Sequence, residues 1–386
     1  MSKLDELIRE LCPDGVEYTI IDKVCTKISS GGTPNTSHGE YYNGSIPWLR
    51  TQEVDWIDIL DTGVKITNEG LQNSSANWVP KNCVIVAMYG ATAAKVAINK
   101  IPLTTNQACC NLQVDESKAA YRFVYYWLSN KYSVLKKLGQ GSQSNINAKT
   151  VRNFPLPLPP LPVQHEIVRI LDTFTELTAE LTAELTARKR QYEYYKKHLL
   201  SQSSTTVPVR LDDVATLKTG SKPTEIFDQH EAFEYINAGT SNSGYARGFN
   251  CEGDTVTTPS RGQGGIGYVG YQKTPFWLGP LCYRIRSKDT KALLTRYLFY
   301  YLSCFNDKIL QYKNEGGTPS VNASDLAKIV IDLPSVEEQT YIVSILDRFD
   351  TLCNDITTGL PAEIEARKKQ YEYYRDKLLS FPEVNS

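Results

Sequence analysis

A chain of 386 residues is longer than one ordinary core requires, and points to two domains of common size or to one duplicated unit. Its 41% hydrophobic and 22% charged residues are those of a soluble globular protein, and no apolar run is long enough to cross a bilayer. Nine cysteines, an odd number without a Cys-x-x-Cys pair, argue against a disulfide framework and a structural zinc, while 42 Lys+Arg against 43 Asp+Glu leave no basic excess of the kind that marks many nucleic-acid binders.

In chain order, the charged opening Met1-Ser2-Lys3-Leu4-Asp5-Glu6 predicts no secretion signal, and with reduced thiols it predicts a cytoplasmic protein. From about 15 to 157 short apolar runs alternate with Gly, Asn, Ser and Thr. Val84–Met88 and Lys95–Ile98 read as strands, and Tyr121–Lys137 reads as a helix. The run Pro155-Leu-Pro157-Leu-Pro159-Pro160-Leu-Pro162 is a stiff extended lead or a polyproline ligand. The first is favoured, because only Leu333-Pro334 persists at the equivalent later place.

Apolar and aromatic residues then recur at spacings of three and four, through Ile167, Leu171, Phe174, Leu177, Leu181, Leu185, Tyr192, Tyr195 and Leu199. This stripe predicts one helix from Gln164 to Ser201, long enough for a coiled coil or bundle. Within it Thr-Ala-Glu-Leu repeats in tandem between Thr175 and Ala187, which reads as a ruler or as plain helix-forming filler. A second globular stretch, about 208 to 333, offers strands at Gly267–Tyr271 and Leu281–Ile285 and a helix over Lys291–Lys308. A closing helix carries Ile342, Leu346, Phe349, Leu352, Ile356, Tyr371, Tyr374 and Leu378, with a break at Gly359-Leu360-Pro361.

The chain is written twice. Ala187–Ser201 (ARKRQYEYYKKHLLS) returns as Ala366–Ser380 (ARKKQYEYYRDKLLS), Ile170-Leu171-Asp172-Thr173-Phe174 as Ile345-Leu346-Asp347-Arg348-Phe349, and Gln164 as Gln339. Fainter echoes join Asn147-Ala148 to Asn322-Ala323 and Gly31–Pro34 to Gly220–Pro223. The expected fold is mixed α/β: globular domains at 1–162 and 202–336, each followed by a long helix, at 163–201 and 337–386 with its break near 359–361. The two helices are expected to pair antiparallel under a pseudo-twofold internal repeat.

Gly262-Gln-Gly264-Gly265-Ile-Gly267 spells a dinucleotide fingerprint, but strand-like Tyr268-Val269-Gly270-Tyr271 follows where a helix is required, so a glycine turn is expected. The histidines His38, His165, His198 and His230 lack metal spacing, with His165 and His198 expected on a solvated helix face. No nucleophile motif or amino-methyltransferase tetrapeptide is present, and no catalysis is expected of this chain. Polar, glycine-freed loops carry Thr33 and Asn35, then Gln140, Ser142, Gln143 and Asn145, then Thr318 and Ser320. With Arg50, Thr51, Gln52, Lys95, Lys222, Arg247, Arg261 and Lys273 these could meet phosphates or base edges, or simply be solvated turns.

Over nearly its whole length the chain resembles the specificity subunits of type I restriction–modification enzymes. The resemblance rests on the Leu-Pro lead into Gln164-x-x-Ile167-x-x-Ile170-Leu171-Asp172-x-Phe174, on its echo from Gln339 to Phe349, on the Arg-x-x-Gln-Tyr-x-Tyr-Tyr runs at Arg188–Tyr195 and Arg367–Tyr374, and on the opening Leu11-Cys12-Pro13-Asp14-Gly15-Val16-Glu17-Tyr18. It implies that each divergent domain reads one half of a split double-stranded DNA target. The helices would set the spacing and hold two methyltransferase subunits, which bind S-adenosylmethionine, and motor–nuclease subunits using ATP and Mg would join them. This chain would carry no cofactor. The partner-binding residues expected on the helices are Leu177, Leu181, Leu185, Tyr192, Tyr195, Leu199, Leu352, Ile356, Tyr371, Tyr374 and Leu378. An adaptor that binds only protein is the alternative, and near-neutral charge is its support.

Overall fold

The computed structural model describes residues 2–139, 145–202, 205–229 and 232–384. Six helices organise it: α1 (Lys3–Leu11), α2 (Tyr121–Asn130), α3 (Leu161–Ser201), α4 (Thr295–Cys304), α5 (Val336–Asn354) and α6 (Leu360–Leu378). The chain groups into two compact units. One holds residues 1–180 with 365–386, and the other holds 181–364. Each unit therefore owns one globular domain, the start of the helix that follows it, and the end of the other long helix.

In the first unit, β1 (Tyr18–Ile20), β2 (Cys25–Ser30), β3 (Val84–Ala87), β4 (Val96–Asn99), β5 (Cys109–Val114) and β6 (Pro155–Pro157) build the domain. The main sheet runs β2–β5–β3–β4 with antiparallel neighbours, ending on the two-residue strand Asp58–Ile59 parallel to β4. All four residues of β3 and of β4 are buried, as continuous apolar runs in a doubly covered sheet should be. Helix α2 buries Phe123 through Leu128 in the same core as Val84, Val86, Val96 and Ile98. A smaller sheet of Lys65–Ile66, Tyr42–Leu49, Leu103–Thr105 and Trp78–Val79 flanks it.

The second unit repeats the plan. Its strands β7 (Val207–Arg210), β8 (Ala215–Thr219), β9 (Thr255–Pro259), β10 (Gly270–Gln272), β11 (Cys282–Ser287) and β12 (Val330–Leu333) form the sheet β8–β11–β9–β10, with β7 paired to β12 as β1 is paired to β6. The proline-rich lead is thus a short strand, not only a stiff spacer: Pro155–Pro157 lies antiparallel to β1. Two prolines are tolerated because β6 has a single partner strand, so their missing N–H groups face no ladder. Two sequence-derived helices each divide in two, Tyr121–Asn130 from Tyr132–Lys137 and Thr295–Cys304 from Asp307–Leu310. The strand expected over Gly267–Tyr271 begins only at Gly270, since Gly267 is left-handed with φ +90.

Both long helices are seated by the same pair of clamps. Gln164 is fully buried; its Oε1 accepts from Ala120 N at 2.9 Å and its Nε2 donates to Pro159 O at 2.7 Å. Gln339 does the same with Leu294 N at 2.9 Å and Pro334 O at 2.9 Å, and also reaches Ala292 O at 2.9 Å. Ala120 and Leu294 are the N-cap residues of α2 and α4, and the third helical residues, Phe123 and Tyr297, carry no carboxyl or amide to reach back to the cap N–H, so the glutamine supplies the acceptor that a capping box would.

Eight residues further along, Asp172 takes Arg122 Nε at 2.9 Å and Tyr126 OH at 2.5 Å. Asp347 takes Arg296 Nε at 2.7 Å and Tyr300 OH at 2.6 Å. Burial, then donation to the carboxylate, pushes both phenols far above their ordinary range, so they remain protonated donors.

Helix α3 starts at Leu161, three residues before the expected start, and runs unbroken for 41 residues, roughly 60 Å. The break in the closing helix spans 355–359. Asp355 Oδ1 accepts from Thr357 Oγ1 at 2.6 Å, from Thr357 N at 2.7 Å and from Thr358 N at 3.2 Å, and these bonds hold its carboxyl down at about 2. A side chain on Gly359 would meet the Thr351 carbonyl oxygen at 2.4 Å, which is why glycine ends this stretch. In the second unit α3 and α5 run antiparallel. Tyr192 and Tyr195 stack on Phe349 at 6.1 and 5.7 Å, while the earlier residues Arg188 and Lys189 lie near the later residue Cys353.

The glutamine clamp gives a stability prediction. Gln339→Leu strands a buried N–H and two carbonyls, so unfolding in urea should show a loss on the order of 3 kcal/mol, whereas Gln370→Leu, at an exposed helix position, should change little.

Candidate DNA interface

In each unit the same set of loops gathers at one end of the main sheet, pinned by equivalent backbone bonds. In the first unit Gly32 N donates to Thr105 O at 2.9 Å, Met88 N to Ala108 O at 2.8 Å, and Ile146 N to Met88 O at 2.9 Å. In the second, Ser221 N donates to Leu278 O at 3.1 Å, Ser260 N to Leu281 O at 2.9 Å, and Val321 N to Ser260 O at 2.9 Å. A Cβ on Gly31 would sit 1.8 Å from the Thr105 carbonyl oxygen, and one on Gly220 would sit 1.8 Å from that of Leu278. No side chain fits at either position. The glycines that echo between the copies are therefore there for close backbone approach.

On this frame the side chains differ. Thr33 stands where Lys222 stands in the other unit, Tyr89 where Arg261 stands, and Asn145 where Ser320 stands. Thr33 is exposed and its hydroxyl donates to Gln107. Asn35 Oδ1 accepts from Ser37 N at 3.0 Å, an Asx turn that shapes the loop. Thr51 O accepts from Thr92 Oγ1 at 2.8 Å and Asn145 Oδ1 from Gly90 N at 3.0 Å, which draws the 50–53, 89–94 and 145–147 loops together with Gln52 exposed among them.

In the second unit Arg261 projects from a turn in which Gly262, Gly264 and Gly267 all have positive φ, and its backbone pairs with Ser320. This is the glycine turn expected of the Gly262–Gly267 run. Thr318 is exposed beside it, next to Pro319 whose carbonyl accepts from Gly262 N at 3.0 Å, and Lys222 is exposed on its own loop. Such hydroxyls, amides and cations, on backbone freed by glycine, are the donors and acceptors that phosphates and groove edges offer partners for.

Other candidates are committed elsewhere. Arg50 is half-buried and faces Glu53 at 3.5 Å. Lys95 Nζ lies 2.6 Å from Asp55 and 4.5 Å above the Trp56 ring, and Arg247 stacks 4.8 Å from Phe227. Lys273 follows β10 at the end where Thr255 pairs with Gln272, opposite the end of β9 that leads into Arg261, so the two are not brought together. Gln140, Ser142 and Gln143 lie outside the described residues, as does His230. Tyr89, 43% exposed, was not singled out from sequence; its only signal there is its place directly after the apolar run Val84–Met88.

The helical stripe is divided in its uses. Tyr192 is buried in the second unit's core, with Leu185 and Leu199 packed on it, and Tyr371 and Leu378 pack on the first unit's core. Tyr374 stacks on Phe174 at 5.5 Å. Leu181 is half-exposed, while Leu177, Tyr195, Leu352 and Ile356 are exposed, Ile356 by 81%. Tyr194 and Tyr373, at equivalent places just off the stripe, are exposed by 64% and 63%, each set edge-on to the next tyrosine at 5.5 and 5.3 Å. His165 is exposed, and His198 stacks on Tyr194 at 5.7 Å.

Burial raises the thiols of Cys83 to about 11 and of Cys25, Cys110 and Cys282 to about 12, so they are neither thiolate nucleophiles nor ready ligands at neutral pH. Among the described residues no group of three or more His, Cys, Asp or Glu could hold a metal ion, and no helix is long and apolar enough to cross a membrane.

Two units with one frame and two different sets of loop side chains define a protein that presents paired recognition surfaces. The chain belongs to the family of type I restriction–modification DNA specificity proteins: the type I restriction modification DNA specificity domain matches twice, over residues 13–188 and 204–366. It is 33% identical over 304 residues to the EcoR124I/EcoR124II specificity subunit of Escherichia coli, covering 69% of this chain and 72% of that one. It is 30% identical over 386 residues to the EcoprrI specificity subunit of the same species, covering 92% and 93%. The crystal structure of a type I restriction–modification S subunit from M. genitalium shares the fold with TM-score 0.61 at 18% identity, over 96% of this chain and 97% of that one. Sequence specificity toward DNA is the role this membership assigns, and nothing found favours a protein-only adaptor.

If the loop cluster meets DNA, Arg261→Ala should weaken binding of the full modification complex by about tenfold and flatten the dependence of log affinity on log salt by about one unit if the contact is to phosphate. Lys273→Ala should leave both unchanged. Fluorescence anisotropy over a salt series makes the comparison.

Proposed function

We propose that each unit reads one half of a bipartite, asymmetric DNA target, and that α3, α5 and α6 set the distance between the halves while docking two methyltransferase subunits. The carrying observation is the invariant frame with unlike readers: Thr33, Tyr89 and Asn145 against Lys222, Arg261 and Ser320, on backbone held by the same bonds. Identical side chains would call for a repeated half-site; unlike ones call for two different half-sites at a fixed separation. In this reading the chain supplies address and no chemistry. S-adenosylmethionine binds in the methyltransferase subunits, ATP and Mg act in motor–nuclease subunits, and the complex works in the cytoplasm on double-stranded DNA.

The repeat also suits two copies of one partner. Tyr194 and Tyr373 are presented in the same geometry by the two Gln-Tyr-x-Tyr-Tyr runs. Exposed tyrosine on a rigid helix is a favourable interface anchor, being large and cheap to immobilise. The stripe residues Leu185, Tyr192 and Leu199 serve the chain's own core first, so the docking surface lies on what that core leaves uncovered.

The division of labour is tested by domain replacement. Exchanging residues 208–333 for the matching domain of a relative should change one half of the methylated motif and leave the other intact in methylome sequencing. Changes in both halves, or in neither, would count against independent readers.

The ruler has its own test. The division between the units falls at Glu180–Leu181, inside the Thr-Ala-Glu-Leu run, where Thr178 Oγ1 bonds back to Phe174 O at 2.8 Å and Thr186 Oγ1 to Thr182 O at 2.9 Å. Four added residues lengthen a helix by about 6 Å and turn it by about 400°, nearly restoring its facing. At 3.4 Å per base pair, one Thr-Ala-Glu-Leu inserted after Leu185 should lengthen the non-specific gap by about one or two base pairs with both half-sites unchanged. An unaltered gap in an active enzyme would show that α3 is not the ruler.

A further inference from the structure

The two main sheets carry different charges at equivalent places. Counted from the closely approached glycines, Lys218 of β8 stands where Ser29 stands in β2. Counted from the matching carbonyls of Leu281 and Ala108, Arg284 and Arg286 of β11 stand where Asn111 and Gln113 stand in β5. The strand pairing agrees. Lys218 lies opposite Arg284 and Thr216 opposite Arg286, as Ser29 lies opposite Asn111 and Lys27 opposite Gln113. The alternate residues Leu217 and Ile285 turn into the second unit's core, so Lys218, Arg284 and Arg286 share the other face. The first unit has one cation in this patch, Lys27, where the second has three.

None of the three is neutralised by the chain itself. Among the described residues Lys218, Arg284 and Arg286 make no ion pair, and neither does Glu252, which is exposed next to Cys251. Lys218 is exposed, Arg284 and Arg286 are half-buried, and Arg284 Nη1 approaches Cys251 Sγ at 3.9 Å. Like charges directly opposite on paired strands destabilise a sheet. The frame does not require them, because the first unit keeps the same pairing with a serine and two amides. An arrangement that costs stability and that the fold does not need points to an anion from outside the chain.

We infer that this face of β8 and β11 anchors the DNA backbone, holding phosphates that flank the half-site met by the second unit's loops. The patch is continuous with those loops: Lys218 and the exposed Lys222 stand on either side of Gly220, and Arg284 follows Leu281 by three residues, about 10 Å along the strand. Arg284 and Arg286, two residues apart, are separated by about 7 Å, close to the rise of two base pairs. DNA that reaches the loops therefore meets the cations within a few base pairs. A phosphate contact carries no sequence information, so the face adds affinity and not address. The two units are then unequal: the second holds the DNA by charge, while the first offers mainly hydroxyl and amide groups at the same place. The inference rests on the proposed reading of DNA by the second unit.

Exchanging the three cations for their counterparts in the first unit, Lys218→Ser with Arg284→Asn and Arg286→Gln, tests it. The variant should keep or raise the thermal midpoint, since it removes like-charge repulsion. Fluorescence anisotropy of the full modification complex on its target DNA should show the slope of log affinity against log salt flattened by about two to three units, each phosphate contributing about 0.9. Affinity for unrelated DNA should fall by the same factor, and the methylated motif should not change. Ser29→Ala with Gln113→Ala should leave the slope as it is. An unchanged slope in the triple variant, or a changed motif with the slope intact, would overturn the inference. Weaker binding of the methyltransferase to the variant chain in native mass spectrometry would mean that the face docks protein, and would sink it as well. A wild-type complex that binds its own target no better than unrelated DNA would instead overturn the proposed function.

Discussion

The structure depends on a buried carboxamide. Gln164 and Gln339 each place an acceptor on the N-cap N–H of a helix that has no capping-box residue to meet it, and return a donor to the carbonyl of a proline just upstream. A fully buried amide is favourable only when its bonds are made, and leaving one such group unpaired costs about 1–3 kcal/mol. The helix start is therefore held to the domain in one position. About 12 Å along, the carboxylate of Asp172 or Asp347 holds the rotation as well, taking an arginine and a tyrosine from α2 or α4. Two fixed points on a stiff rod define its direction relative to the domain that precedes it.

The loop clusters at the sheet ends are built on a comparable economy. The close approach of Gly31 to Thr105 and of Gly220 to Leu278 holds two loops at van der Waals limits, and the bonds among Met88, Ala108 and Ile146 recur among Ser260, Leu281 and Val321. Backbone carries the frame, so side chains at the tips can change without disturbing it. That separation allows one architecture to present Thr33 and Tyr89 in one unit and Lys222 and Arg261 in the other. The chain as a whole is near-neutral, and many of its cations, such as Lys95 with Asp55 and Arg296 with Asp347, are consumed by acidic partners.

The helices do two jobs, and their residues divide accordingly. Leu185, Tyr192 and Leu199 complete the second unit's core, and Tyr371 and Leu378 the first's. Because each unit is finished by the end of the helix that began in the other, neither domain's core is complete within its own stretch of sequence. Tyr194, Tyr373, Leu352 and Ile356 stay exposed, outside both cores.

By itself the sequence determined the duplication, the class of fold, the long helices and the break near Gly359, because heptad-like spacing and echoed segments are local signals that depend on chain order alone. It also marked Gln164, Asp172, Gly31 and their echoes as shared, without showing why. The clamp on Ala120 needs residues 44 apart to meet, and Tyr18 pairs with Pro157 across a whole domain, so neither leaves a periodic trace. The stripe showed the same limit: spacing placed Leu185, Tyr192 and Ile356 on helices but could not say which were spent on the chain's own core. Tertiary structure alone decided that, since burial depends on what packs against a face, and here that is a segment about 150 residues away, Phe349 against Tyr192 and Tyr195.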